Sequence, residues 1–458
     1  MGVVFLKKKH TMDLNQGSII KTLLTFAFPI FVGNLMQQLY NTADMIVAGQ
    51  FVGDHALAAV GATGDIVALV VNFFAALSVG ANIICSNFYG ANDKNSLSRS
   101  MHTAIPVALL CGLMIALIGL FFSRAMLQLT GCPDSVLDEA TLYMQVYLAG
   151  APASMLYNFG AAILRAHGDS NRPMVILTIS GAINVVLNVV LVAVFHIGVS
   201  GVAIATVVSQ VVSATVVLRI LLNPKEEYRM ELKKMKIYRS DLIQLIRIGV
   251  PCGLISIAFS FANVILQSSI NTLGDIAMAG SAASSKISIL VYTIPLSVHQ
   301  GAVSMAGQSY GARNFRRIDQ LWIRSIALGA GITATVSLLT TILADAAIGL
   351  FSSSPEVIAA GIPKMLLFNW SYVLYSVPDC TMACLRGMGR SSMPSLLNVL
   401  CVCIPRILWV YLFFPMNPNL FWLHLCVPIS YVLCSTALVS YFFYCRKQNR
   451  KTIPSARG

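Results

Sequence analysis

Residues 104–122 read AIPVALLCGLMIALIGLFF and contain no charged side chain. As an α-helix this stretch would be about 28 Å long, which is close to the roughly 30 Å hydrocarbon thickness of a bilayer. Similar stretches recur along all 458 residues, and the chain is 57% hydrophobic and only 11% charged. An ordinary soluble domain has about 25% charged residues. The sequence therefore predicts an all-α integral membrane protein without a separate soluble domain.

The apolar stretches predict twelve transmembrane helices, because each has about 18 or more residues that suit the bilayer interior. In chain order the predicted helices lie near 17–46, 55–82, 97–123, 137–165, 173–196, 200–222, 241–271, 276–305, 318–350, 357–386, 393–415 and 420–444. An even number of crossings returns the chain to its starting side. Both termini are therefore predicted on the same side of the membrane.

The formal net charge of +13 follows the loops between these helices and does not indicate a nucleic-acid partner. With a cytoplasmic amino terminus, most basic residues lie on the cytoplasmic side, as the positive-inside rule requires. They are Lys7, Lys8, Lys9, Lys94, Arg99, Arg165, Arg172, the basic residues of 223–240, Arg313, Arg316, Arg317, Arg386, Arg390 and the tail from Arg446. Arg124 and Lys364 lie on the far side. The pattern predicts a multi-pass protein of the plasma (inner) membrane with both termini cytoplasmic, although attraction to anionic headgroups is also compatible with it.

The sequence contains an internal duplication. Motifs of the first half recur in the second half at a constant offset, equal to the separation between Gly53 and Gly274. The matching pairs are Gly53-Asp54-x-Ala56 with Gly274-Asp275-x-Ala277, Gly80-Ala81 with Gly301-Ala302, Tyr89-Gly90-Ala91 with Tyr310-Gly311-Ala312, and Leu164-Arg165-x-x-Gly168 with Leu385-Arg386-x-x-Gly389. Six helices per half give parallel repeats, whose pseudo-two-fold axis runs along the membrane normal. The predicted domains are a six-helix lobe at 1–222, a cytoplasmic linker at 223–240, a second six-helix lobe at 241–444 and a cytoplasmic tail at 445–458. The linker is interpreted either as a hinge or as a plain solvated connector.

Several short motifs occur in order along the chain. They are Met12-Asp13-Leu14-x-x-Gly17-Ser18-Ile19, Phe28-Pro29, Gln37-x-x-Tyr40-Asn41-x-x-Asp44, Tyr89-Gly90-Ala91, Leu164-Arg165-Ala166-x-Gly168-Asp169 and Gly201-Val202-Ala203-Ile204-Ala205-Thr206. Together they resemble the motifs of the multidrug and toxic compound extrusion (MATE) transporters. The resemblance implies a V-shaped pair of pseudo-symmetric six-helix lobes. It also implies secondary active efflux of organic, often cationic, drugs in exchange for H+ or Na+ by alternating access. No other cofactor is implied, and we expect a monomer in the lipid bilayer.

Asp44 is the leading candidate for the coupling residue. A carboxylate near the bilayer centre costs about 2.5–3.5 kcal/mol on insertion scales, so it needs a partner or a function. Gln37 and Tyr40 precede Asp44 by seven and four residues and therefore share its helix face. We expect this stripe to point into the first lobe, where Asp44 could exchange a proton, or a proton for Na+. The alternative is a structural aspartate hydrogen-bonded to neighbouring polar groups.

Amides in the fourth and fifth predicted helices are further candidates. Asn184 and Asn188 lie four residues apart on one face of an apolar segment, so we expect them to point inward. The resemblance implies that Asp44, Asn184, Asn188 and Thr206 surround a cation, but some relatives hold Asp where this chain has Asn188. Losing that carboxylate argues against a tightly bound Na+. Asn158 is expected to complete the network, and ordinary interhelical hydrogen bonds are the alternative reading.

The second lobe contains a carboxylate at Asp379, which is the position equivalent to Asn158 at the offset of the duplication. It is a second coupling candidate or, alternatively, the ion-pair partner of Arg406. Asp65 and Lys286 are equivalent at the same offset, and a pseudo-two-fold axis would bring them face to face. We therefore predict that they form an ion pair in the cleft; the alternative is that each faces water separately.

The sequence contains no metal-ligand spacing and no nucleophile, DxxxD or phosphate-loop motif typical of an enzyme. A membrane-embedded transferase is thus the weaker alternative. A nearer alternative is a flippase of a lipid-linked saccharide in the same superfamily. Such a flippase would line its cavity with several arginines, whereas Lys286 and Arg406 are the only candidates here.

Overall fold

The structure, a computed structural model, describes residues 11–226 and 228–451. Within these residues all regular secondary structure is helical. Helices of the first half are α1 (Ile19–Val47), α2 (Asp54–Gly90), α3 (Lys94–Leu129), α4 (Asp134–Ala149), α5 (Ala151–Ala166), α6 (Asn171–Asn188) and α7 (Val199–Leu221). Those of the second half are α8 (Arg239–Asn271), α9 (Asp275–Gly311), α10 (Phe315–Ile342), α11 (Ala344–Gly349), α12 (Pro355–Gly387), α13 (Ser392–Asn398), α14 (Ile404–Leu412), α15 (Leu420–His424) and α16 (Cys426–Lys451). Lys7, Lys8, Lys9 and the end of the predicted tail lie outside the described residues.

Eleven helical segments among the described residues are long and apolar enough to cross a bilayer. They correspond to all the predicted transmembrane helices except 137–165, which consists of α4 and α5 in succession, each 16 residues long. The interruption falls at Gly150, and Pro152 lies in the first turn of α5. Pro152 has no backbone N–H and cannot continue the hydrogen bonds of α4. The first helix therefore ends, and α5 begins as a separate helix. The prediction of an all-α membrane protein is confirmed.

The duplication is visible in the backbone as well as in the sequence. Helices α2 and α9 are both 37 residues long, and each follows a glycine with positive φ, Gly53 at 117° and Gly274 at 89°. Asp93 and Asn314 occupy equivalent N-cap positions, and each side chain accepts a hydrogen bond from the backbone N–H three residues later. Positive φ also recurs at Asn92 (56°) with Arg313 (56°) and at Gly168 (83°) with Gly389 (75°). Local conformation therefore repeats at the offset found in the sequence.

The described chain forms two compact units. Unit 1 contains the residues up to Leu14 and Phe28–Gly253, and unit 2 contains Asn15–Ala27 and the residues from Leu254 onward. Unit 1 therefore includes the beginning of α8, the first helix of the second half, and unit 2 includes the beginning of α1, the first helix of the first half. Within unit 1, the backbone of Gly80 lies close to Leu245 and Gly249, and a Cβ there would be 3.0 Å from the Leu245 carbonyl oxygen. The equivalent glycine of unit 2, Gly301, lies against Leu23 and Ala27. Small residues permit this close packing of helices.

The described part of the linker packs against unit 1. The Tyr228 ring packs at a tilt against His167, with a centroid distance of 4.9 Å, and meets the Tyr89 ring edge-on at 5.2 Å. The backbone N–H of Glu231 donates to His102 Nε2 at 2.9 Å. Burial lowers the pKa of His167 below its usual value, so this ring is neutral at physiological pH. The linker is thus attached to unit 1 by specific contacts and is not a plain solvated connector, while its role as a hinge stays a prediction.

Candidate functional site

The polar stripe of α1 points into unit 1, as its spacing predicts. Tyr40 crosses to α6, where its hydroxyl donates to the carbonyl oxygen of Leu177 at 2.8 Å. The Tyr40 ring lies directly on Gly181, where a Cβ would overlap the ring atoms. Gln37, Tyr40 and Asp44 line one cavity. The missing side chain at position 181 therefore allows α1 to approach α6 and fixes the stripe in place.

Asp44 is buried, with 7% of its surface exposed, and both of its carboxylate oxygens accept hydrogen bonds. Oδ1 accepts from the amide of Asn188 on α6, and Oδ2 accepts from the hydroxyl of Thr206 on α7 at 3.2 Å. A buried carboxylate without such donors would carry a large desolvation cost. One acidic side chain therefore connects three helices of unit 1.

The amides and Thr206 form a continuous network around this carboxylate. Asn188 also donates to Asn184 Oδ1 at 3.3 Å, and Asn184 donates to Thr206 Oγ1 at 3.2 Å. Asn188 is fully buried, yet its own Oδ1 has no hydrogen-bond partner. A buried acceptor left unsatisfied is unusual and costs about 1–3 kcal/mol. The network thus contains one free acceptor beside its only carboxylate.

The cavity next to Asp44 contains about 110 Å³ of space that water can reach. A single water requires about 10–15 Å³ of such space, so the cavity has room for several waters or a hydrated cation. Its wall includes Gln37, Tyr40, Asn41, Asp44, Tyr147, Ser154, Tyr157, Asn158, Leu177, Ser180, Gly181, Asn184, Thr206, Ser209, Gln210 and Ser213. The structure therefore brings the predicted residues together, with Asn188 just behind the wall.

Several polar residues of this wall were missed in the sequence. Ser209, Gln210 and Ser213 continue from the predicted Thr206 as a polar stripe at helical spacing on α7, which is otherwise rich in Val and Ala. The argument that identified Asn184 and Asn188 applies equally to this stripe. Tyr147 lies in α4, and Gly150 separates it from the part of the predicted fourth helix that forms α5. No residue spacing in the sequence therefore linked Tyr147 to the site.

Two π-helical segments flank the network. Ala48–Val52 begins four residues after Asp44, and Val189–Val194 begins immediately after Asn188. A π-helical turn widens the helix and shifts the register of the residues that follow. Such turns are frequent at functional sites, and here both lie where α1 and α6 leave the network.

In unit 2, Asp379 pairs with a histidine. Its Oδ1 lies 2.9 Å from Nδ1 of His299, and both residues are buried. The other ring nitrogen of His299 lies 3.4 Å from Nη1 of Arg386. Arginine can only donate, so His299 Nε2 accepts and the ring proton is on Nδ1, facing Asp379. Asp379 Oδ2 remains without a partner.

The alternative pairing of Asp379 with Arg406 is wrong. Arg406 donates to Ser430 Oγ at 3.3 Å and packs over the rings of Phe259 and Tyr431, at 5.5 and 5.2 Å. Aromatic faces stabilise a buried guanidinium through cation–π attraction. Sequence spacing could not show this, because Asp379 and Arg406 lie on different helices whose relative rotation depends on packing.

Asp65 and Lys286 are both exposed, each on the surface of its own unit. Their ion pair across the cleft stays a prediction. Among the described residues there is also no group of three or more His, Cys, Asp or Glu side chains placed to hold a metal ion.

The MatE family profile matches the sequence twice, at residues 29–190 and again at 251–412. The chain belongs to the MatE family. The two matches begin at Pro29 and Pro251, so these prolines are equivalent and the internal duplication is confirmed.

Curated relatives of this MatE chain include two proteins of Bacillus subtilis (strain 168). The probable multidrug resistance protein YoeA is 25% identical over 399 residues, covering 86% of each chain. The probable multidrug resistance protein YpnP is 26% identical over 404 residues, covering 88% of this chain and 90% of its own. A solved structure of the outward-facing conformation of a multidrug resistance MATE family transporter is also similar. It has a TM-score of 0.90 at 24% identity and covers 97% of this chain and 99% of that one. The MATE fold is therefore shown over nearly the whole chain.

Proposed function

We propose that this protein is a secondary active efflux transporter that exports organic, mainly cationic compounds in exchange for H+ or Na+, with Asp44 as the coupling residue. The observation that carries the proposal is the single buried carboxylate at the meeting point of α1, α6 and α7. The similarity to proteins described as multidrug resistance proteins supports the class of substrate. We place the protein as a monomer in the plasma membrane with both termini cytoplasmic.

The coupling step follows from the different hydrogen-bonding needs of a charged and a neutral carboxyl group. As a carboxylate, Asp44 only accepts, and it is matched by the Asn188 amide and the Thr206 hydroxyl. Once protonated it becomes a donor, and the free Oδ1 of Asn188 is an acceptor within the same network after rotation of the amide. Loading therefore changes the bonds between α1 and α6 and shifts the balance between conformations.

The composition of the network favours H+ over Na+. Asp44 is its only carboxylate, because Asn188 provides a neutral amide. Sodium binding requires several oxygen ligands and compensating charge, and here an amide hydrogen already points at Asp44 Oδ1. A proton needs only one oxygen of the carboxylate. The cavity beside Asp44 provides the water through which the proton is exchanged.

The proposal is tested by Asp44→Asn, which removes the charge and keeps the side-chain volume. In everted vesicles, the wild type should export a cationic dye when a proton gradient is imposed, and the variant should lose nearly all gradient-driven export. Asp138→Asn is the matched control, because Asp138 is an exposed carboxylate paired with Arg124. Full export by Asp44→Asn protein that has reached the membrane would remove Asp44 from the mechanism. Export driven by a sodium gradient alone would assign Na+ as the coupling ion.

A further inference from the structure

Within the part of the chain that the structure describes, Lys364 is a buried cation without a carboxylate partner. It lies in α12 with only 5% of its surface exposed. Its ammonium group donates to the carbonyl oxygen of Ser281 at 3.0 Å, to Ser281 Oγ at 2.5 Å and to Ser285 Oγ at 2.8 Å. All of these acceptors are neutral. The ammonium group also lies 5.6 Å from the centre of the Phe368 ring, so its hydrogen bonds are satisfied and an aromatic face stabilises it, but no negative charge among the described residues is paired with it.

The buried charges of unit 2 are positive on balance. Its buried charged side chains among the described residues are Lys364, Arg386, Arg406 and Asp379. The one acid, Asp379, is held by His299, and Arg406 rests on aromatic rings. An uncompensated charge in a low-dielectric interior is costly, and its field attracts an anion. Unit 2 thus has the opposite polarity to the Asp44 network of unit 1.

The ammonium group of Lys364 lies just beneath a surface that water must reach. Ser285, its third acceptor, is exposed on α9, and the next residue, Lys286, is exposed as well. Lys286 is eleven residues into α9, roughly 16 Å along the helix axis from Asp275. An exposed lysine on a membrane-spanning helix must bring its ammonium group to water, because a charge left among acyl chains is costly. This face of α9 therefore borders water and is open to solutes.

Apolar side chains continue along the same face of α9. Met278 lies before the two polar residues, and Ile289 and Leu290 follow them, all substantially exposed. Such a face combines apolar contact area with one exposed and one shielded positive charge. That combination suits an amphiphile with an acidic group, and the flexible Met side chain adapts to different shapes.

We propose that Ser285, Lys286 and Lys364 form a subsite in unit 2 for the carboxylate of an exported compound. The proposal rests on the proposed efflux function and extends its substrates from simple cations to zwitterionic and acidic amphiphiles. Lys286 contacts the carboxylate directly. The Ser285 hydroxyl turns to donate to it, and Lys364 supplies the charge behind the hydroxyl.

The test uses tetramethylrhodamine, which has a free carboxylate, and its methyl ester, which differs only by masking that group. Export of each is measured in everted vesicles with a clamped membrane potential and the same imposed proton gradient. Binding of each to purified protein is measured by fluorescence anisotropy. Lys364→Met should reduce binding and export of the acid by about tenfold or more, because it removes a positive charge whose attraction for the carboxylate is only partly screened. The ester should change less than about twofold, since it lacks the anion.

Lys364→Arg is the conservative variant and should restore most of the discrimination between acid and ester. Lys286→Gln, at an exposed position, should selectively weaken binding of the acid. This variant tests the subsite if Lys364→Met prevents folding. Unchanged acid binding in both Lys364→Met and Lys286→Gln, or equal loss of acid and ester, would overturn the subsite. Export of neither compound by the wild type would count against the efflux function, and the binding measurement would still decide the subsite.

Discussion

Asp44 shows how much can be inferred from one residue and its spacing. The cost of a charge in the bilayer identified it, and the spacing of Gln37 and Tyr40 gave its helix face. The structure adds what no spacing shows, namely that the Asn188 amide and the Thr206 hydroxyl bond the two carboxylate oxygens. It also leaves Oδ1 of Asn188 without a partner. These details support a network that changes its bonds when Asp44 is loaded.

Asn188→Asp should convert the network into a sodium site. The substitution places a second carboxylate beside Asp44, and two buried acids at hydrogen-bond distance attract a cation strongly. We expect NaCl, compared with choline chloride, to raise the unfolding temperature of the purified variant by several degrees, as ligand binding to the folded state does. The wild type should show a much smaller sodium effect.

Asn188→Ala is the control for that experiment, because it removes the same amide without adding charge. Neither its unfolding temperature nor its dye export should become sodium-dependent. A sodium response equal in Asn188→Asp and Asn188→Ala would contradict the role given to the missing carboxylate.

At the scale of helices, the site depends on how closely α1 approaches α6. The contact is made by the Tyr40 ring on the bare backbone of Gly181, and the Tyr40 hydroxyl is tied to Leu177. The sequence predicted the inward faces of both helices, but it did not indicate that Gly181 is the contact point. Glycine is common in membrane helices, and only the neighbouring helix shows which one is required.

Gly181→Ala should displace Tyr40 and open the contact between α1 and α6. The added methyl group would overlap the ring, and overpacking of this kind costs about 1–3 kcal/mol. We expect an unfolding temperature lower by a few degrees and reduced dye export, measured on purified protein and in vesicles.

Gly331→Ala is the matched control in α10, because a Cβ there meets no other atom within 4 Å. Its unfolding temperature should stay the same or rise slightly, since alanine favours a helix more than glycine does. If both variants behave alike, the tight contact at Gly181 does not matter.

At the scale of the whole molecule, duplication and charge distribution decide the architecture. The paired backbone conformations at Gly53 and Gly274 agree with the offset found in the sequence, and the two family matches lie within one residue of it. The predicted halves nevertheless differ from the compact units at Asn15–Ala27 and at the start of α8. The beginnings of α1 and α8 belong to these units because they pack closely at Gly301 and Gly80, respectively. No pattern in the sequence indicates this packing.

The positive-inside pattern predicts the position of the carboxyl terminus. A green fluorescent protein fused after Arg446 should fluoresce, and alkaline phosphatase fused at the same point should be inactive, because both report a cytoplasmic location. Alkaline phosphatase inserted at Cys132, between α3 and α4, should be active. The reverse result at either point would show that the orientation is wrong.

The sequence by itself determined the membrane class, the duplication and the candidate acid of the first half. All three follow from features that can be read in the sequence without knowing how the helices pack: the length of apolar stretches, the cost of a charge in lipid and the repeated spacing of motifs. Only the tertiary structure decided that Asp379 meets His299 and not Arg406, that α4 and α5 are separate, and that Lys364 is buried among neutral oxygens. These outcomes depend on how helices rotate and approach one another, which is set by packing between residues far apart in the chain.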